Sequence, residues 1–64
     1  MAKGFYAQVA EELARLGYSY ARNAKGSHEI WRNAEGRQTT VPRNLKSRHT
    51  ANGILKSVGS SLKI

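Results

Sequence analysis

Cysteine is absent from this 64-residue chain, and so is aspartate. The first absence excludes a disulfide framework and a thiolate metal site, and it is compatible with a reducing compartment. The second leaves glutamate as the only acid, four residues against eleven lysines and arginines, for a formal net charge of +7. Long apolar runs are missing too. Nothing approaches the ~20 residues of a membrane span, and the opening MAKGFYAQVAEEL lacks the apolar block of a signal peptide. A cytoplasmic protein with no membrane contact is expected. No glycine-rich phosphate loop of the P-loop or dinucleotide type occurs, and no Ser-His-acid arrangement has a recognisable spacing.

A chain this short buries only about 60% of the surface its unfolded form exposes. Residues 1–64 are therefore expected to form one domain with a small core. Any active site must lie on the surface or in a shallow groove.

The charge is unevenly spread. Glu11, Glu12, Glu29 and Glu35 all fall in the first 35 residues, whereas Arg37, Arg43, Lys46, Arg48, Lys56 and Lys63 follow with no acid among them. A purely cationic second half points to a polyanion, of which nucleic-acid phosphate is the commonest. The alternative is a basic protein kept soluble by its charge.

Between Phe5 and Leu16 the apolar residues Phe5, Val9, Leu13 and Leu16 recur at helical spacing, with Ala10 beside them and Glu11, Glu12 and Arg15 on the other side. Gly17 ends this amphipathic helix. YSYARN then alternates and is rich in aromatics, as a strand is. AKGS supplies a turn through Gly26, HEIWRN is a second strand and AEG a second turn. RQTTVP is a β-branched third strand closed by Pro42, which has no amide hydrogen to continue a ladder. After a basic connection from Arg43 to His49, TANGILKSVG has the pattern of a helix with Thr50 as N-cap. Ile54, Leu55 and Val58 form its buried face and Gly59 its stop. Gly53 inside it costs about 1 kcal/mol against alanine, so this helix depends on tertiary packing. The order predicts an α+β fold, α-β-β-β-α, with a three-stranded antiparallel sheet, both helices on one face and the other face free for a ligand.

His28 and His49 are the side chains whose unperturbed pKa lies near neutrality. His28 begins the second strand, held by a hairpin turn, with Lys25, Arg22 and Arg32 within a few positions. An imidazole among cations suits phosphodiester cleavage, in which a base takes the proton of an RNA 2′-hydroxyl and cations stabilise charge developing on phosphate. DNA lacks that hydroxyl, so the chemistry selects RNA. The bland alternative is a strand histidine that is merely exposed or pairs with Glu29. His49 fits a helix-flanking position or a phosphate contact equally well. Two histidines 21 positions apart do not make a metal motif, and no metal or cofactor is expected. Glu11 and Glu12, adjacent on a helix and about 100° apart, have the pattern of solvated surface. Strand parity sets Trp31 and Glu29 against His28 and Ile30. If Trp31 packs on the helices, His28 looks out from the free face, and Ile30 shares that face with it.

GYSYARNAKGSHEIWRNAEGRQTTVPRN followed by HTANGILKSVG resembles the HicA family of bacterial toxins, which are small basic mRNA interferases. The resemblance rests on Leu16 and Gly17, on Gly26, Ser27, His28 and Trp31, on Val41 and Pro42, and on Thr50, Ile54, Leu55, Lys56 and Gly59, in that order along nearly the whole chain. It implies a double-stranded-RNA-binding-like fold and ribosome-independent RNA cleavage with His28 as the catalytic residue. It also implies a HicB-type antitoxin that binds the toxin and covers that histidine. Many relatives carry a histidine two positions after the Val-Pro, where this chain has Asn44, and a glycine before the helical Thr, where it has His49.

The function expected from residues and resemblance together is a metal-independent endoribonuclease toxin. RNA is expected at Lys25, Ser27, Arg22, Arg32 and Arg43, with His28 as general base or acid and His49 as a possible secondary site. A second proton-transfer group has three sources: the same imidazole, a tyrosine or water. The free toxin is expected to be a monomer that forms a hetero-oligomer with its antitoxin. The alternative from another class is a non-catalytic RNA-binding module on the same fold.

Overall fold

The computed structural model describes residues 4–64; residues 1–3 of the expected domain lie outside the described residues. The elements run α1 (Tyr6–Arg15), β1 (Ser19–Asn23), β2 (His28–Arg32), β3 (Gln38–Pro42) and α2 (Arg48–Ser57). The three strands form one antiparallel sheet in the order β1-β2-β3. This is the α-β-β-β-α arrangement expected from the sequence.

One apolar cluster explains why the elements assemble. Val9 and Leu13 of α1, Trp31 and Val41 of the sheet, and Ala51, Ile54 and Leu55 of α2 are buried together with Tyr18 and Leu45. Both helices thus cover the sheet face that carries Trp31 and Val41. Burial along β2 alternates, with Glu29 and Trp31 buried and His28 and Arg32 exposed, as the period of a strand with one covered face requires. Strand β1 is exposed along its whole length, and its register with β2 shifts between Tyr20 and Arg22. Such an irregularity disrupts the ladder locally, which disfavours further pairing at an open edge.

α1 ends where Gly17 takes φ 93°, a left-handed conformation that glycine adopts without a Cβ penalty. Beyond α2 the chain turns back along the helices. Asn52 donates from Nδ2 to the Ile64 carbonyl at 3.2 Å and accepts from the Ile64 amide at Oδ1 at 2.8 Å.

Two sequence expectations are corrected. The second helix begins at Arg48, and its N-cap is Ser47, whose hydroxyl accepts from the Thr50 amide at 3.2 Å. Thr50 supplies the backbone donor rather than the cap, and His49 lies inside the first turn. Glu12 is buried, not solvated. Arg15, one turn along, grips both its carboxylate oxygens at 2.9 and 2.6 Å, and Ser60 donates to the same group at 2.6 Å. A carboxylate so bonded tolerates burial that a bare one would not.

Candidate functional site: the open sheet face and the Gly-Ser-His turn

His28 is exposed at the first position of β2, and its place is fixed through its backbone. Its carbonyl accepts from Ala24 N at 2.8 Å, and its amide donates to Lys25 O at 3.3 Å across the turn. Gly26 at φ 68° makes that turn possible. On the other side His28 pairs with Pro42, and the Arg43 amide donates to Ser27 O at 2.8 Å. The turn therefore sits between strand β1 and the chain leaving β3. The Ser27 hydroxyl donates to Asn44 Oδ1 at 3.4 Å, which brings the second position after Val-Pro against the Gly-Ser-His turn.

Register assigns the cations to faces. Arg22 pairs with Ile30, and Ser19 pairs with Arg32. Arg22, Arg32, His28 and Ile30 therefore share the uncovered face, with Gln38 and Thr40 opposite Arg32 and Ile30. Arg22 is the diagonal cross-strand neighbour of His28, within reach of a long side chain. Lys25 and Ser27 are exposed in the turn. Ile30 is half-buried on this face and Trp31 is buried on the opposite one, as strand parity requires.

A HicA family model matches residues 6–64, with the description HicA toxin of bacterial toxin-antitoxin. The chain belongs to the HicA toxin family. It is the toxin member of a toxin-antitoxin pair. No curated protein and no solved structure matched the chain. Among the described residues of this HicA toxin, no helix is long and apolar enough to cross a membrane, and no three His, Cys, Asp or Glu side chains group as a metal site would require.

Glu29 gathers three partners that its place in the sequence does not announce. It does not pair with His28, because it lies on the other face of the strand. There its Oε1 accepts from the Tyr6 hydroxyl at 2.7 Å and from Trp31 Nε1 at 3.0 Å, while its Oε2 lies 3.5 Å from Arg43 Nε. Burial first, and then the Glu29 carboxylate, raise the Tyr6 phenol above its ordinary pKa. Parity with Trp31 was the available signal. Tyr6 lies 23 residues away, and no local spacing announces it.

Arg43, expected among the RNA contacts, is drawn to Glu29 but keeps an exposed guanidinium edge. It approaches the turn from the helix-covered side, unlike Arg22 and Arg32. His49 is exposed on α2 and lines a separate groove of about 550 Å³ with Asn52, Lys56 and Lys63, in which no residue of the β1–β2 hairpin takes part. The tyrosines are committed elsewhere. Tyr18 is buried, Tyr6 donates to Glu29, and Tyr20 has the parity of Trp31 and donates to Asn23.

Proposed function

We propose that this toxin is a metal-independent endoribonuclease whose catalytic group is His28. The observation that carries the reading is an exposed imidazole, anchored by backbone hydrogen bonds on both sides, on a sheet face shared with Arg22 and Arg32. The open face admits a single strand of mRNA, with phosphates at Arg22, Arg32 and Lys25 and with Ser27 contacting the strand at the turn. Arg43 adds its exposed edge from the far side of the turn.

In the reaction, the neutral imidazole takes the proton of a ribose 2′-hydroxyl. The 2′-oxygen forms a bond to phosphorus as the bond from phosphorus to the 5′-oxygen breaks. The leaving oxygen gains a proton from the imidazolium or from water, giving a 2′,3′-cyclic phosphate and a 5′-hydroxyl end. The guanidinium groups stabilise the extra charge on phosphate in the transition state. With the tyrosines engaged away from this face, the same imidazole and water are the remaining proton carriers. Asn44 beside Ser27 offers an amide, which hydrogen-bonds phosphate but does not titrate.

The partner that restrains the toxin is a HicB-type antitoxin that covers His28. An acidic surface meeting a chain of net charge +7 associates quickly because opposite potentials steer the encounter. The toxin is a monomer when free and part of a hetero-oligomer when bound, acts in the cytoplasm, and comprises one domain over residues 1–64.

The test is incubation of purified wild type and His28→Ala with a long single-stranded RNA in EDTA, reading fragment sizes and chemical ends. Cutting by the wild type alone, leaving 2′,3′-cyclic phosphate, is expected. Equal cutting by both proteins would remove His28 from the mechanism. Equal RNA binding by both with cleavage by neither would leave a non-catalytic RNA-binding module.

A further inference from the structure

We infer that Glu29 is a positioning residue for His28, acting through the strand they share and through the chain that leaves β3; this rests on His28 being the catalytic group. Glu29 is the one acid of the sheet. It is buried at 7% exposure, and a buried carboxylate is costly unless it is paired and hydrogen-bonded. Here it is met by three separate parts of the chain. Tyr6 comes from α1, Trp31 from β2 itself, and Arg43 from the residue just after β3.

Two of these contacts, those of Arg43 and Tyr6, bear on the chain that flanks the Gly-Ser-His turn. Holding Arg43 holds its amide, which donates to Ser27 O, and holds the following Asn44 against the Ser27 hydroxyl. Holding Tyr6 ties down the start of α1, where the Phe5 amide donates to Leu45 O at 2.7 Å. The segment Arg43–Leu45 is thereby pinned at both ends. His28 has no side-chain partner of its own among the described hydrogen bonds, so the precision of its placement comes from backbone that Glu29 secures from beneath. Removing the charge would loosen the turn while leaving the imidazole, Arg22 and Arg32 present.

Glu29→Gln tests this. The amide keeps an acceptor for Tyr6 and Trp31 but deprives Arg43 of its counter-charge, and it removes one negative charge from a chain of net +7. Single-turnover cleavage at saturating RNA is expected to fall about tenfold or more, because small misplacements of a catalytic group have large kinetic effects. RNA affinity, measured on the His28→Ala background so that nothing is cut, should stay equal or become tighter, since the added positive charge favours a polyanion. Partial unfolding would lower both quantities, so a fall in rate without a fall in affinity separates positioning from mere stability.

Wild-type cleavage by Glu29→Gln, with His28→Ala inactive, would overturn the inference and leave the endonuclease reading standing. Parallel loss of rate and affinity would overturn it as well. Undiminished cleavage by His28→Ala would bring down both together. Should Glu29→Gln not fold, Tyr6→Phe removes one donor from the same carboxylate and is judged by the same two readouts.

Discussion

Ser60 donates a 2.6 Å hydrogen bond to Glu12 across 48 residues of chain. It joins the segment beyond α2 to the side of α1, on a carboxylate that Arg15 already holds from one turn away. Arg15 first, and Ser60 second, lower the Glu12 pKa from 4.5 to about 2. The folded state therefore holds its ionised form in preference to the unfolded state.

A group whose folded pKa is depressed contributes stability above its unfolded value and loses it as pH falls through the folded one. The Glu12 contribution is thus complete above about pH 4.5 and disappears toward about pH 2. Thermal unfolding of wild type and Glu12→Gln across that range is the check. The variant should be less stable at pH 7, fall less steeply on acidification, and meet the wild type near the acid end. Two parallel curves would mean that Glu12 ionisation is not linked to folding.

The capping of α2 makes a second prediction. Because the Ser47 hydroxyl accepts from the Thr50 amide, Ser47→Ala should cost about 1 kcal/mol, a fall in Tm of roughly 4–8 °C for a domain of this size. Thr50→Ala keeps the amide and should cost much less. Denaturant unfolding of the two variants reads the difference directly, and a larger loss at Thr50 would return the cap to that residue.

Gly53 supplies a third. A Cβ at this position meets nothing within 4 Å, and the residue is exposed within α2. Alanine has the better helix propensity and leaves a less disordered unfolded chain. Gly53→Ala should therefore stabilise by about 0.5–1 kcal/mol. An unchanged or lowered midpoint in a thermal melt would show that the glycine serves a purpose at that face other than local folding.

These cases also mark what was legible in the sequence. The helical repeat of Val9 and Leu13, the glycine at the turn before His28 and the alternation through Trp31 placed α1 and the first hairpin and set His28 outward, because each signal is local. The start of α2 was displaced since Ser47 and Thr50 are both capping residues, and three residues apart one serves as acceptor and the other as donor. Glu12 looks alike in sequence to the exposed Glu11, and the one local signal for Glu29 was its strand parity with Trp31. What sets Glu12 and Glu29 apart is contact with Ser60, Tyr6 and Arg43, all distant in the chain or across the sheet. Such pairings depend on the assembled fold, and no spacing rule encodes them.

The arrangement of cations leads to the last prediction. Arg22 and Arg32 share the open face with His28, whereas Lys56 lies on α2, lining the groove beside the returning chain. If single-stranded RNA crosses the sheet, each arginine that meets a phosphate contributes about 0.7 to the slope of log affinity against log salt. Binding measured over a series of salt concentrations, in the His28→Ala background, should show that slope reduced by about this amount in Arg22→Gln and again in Arg32→Gln. Lys56→Gln should leave it unchanged. An equal reduction at Lys56 would mean that the strand runs over the helices as well as the sheet. A reduction at Lys56 alone would move the RNA off the face that carries His28 and take with it the geometric support for that histidine as catalyst.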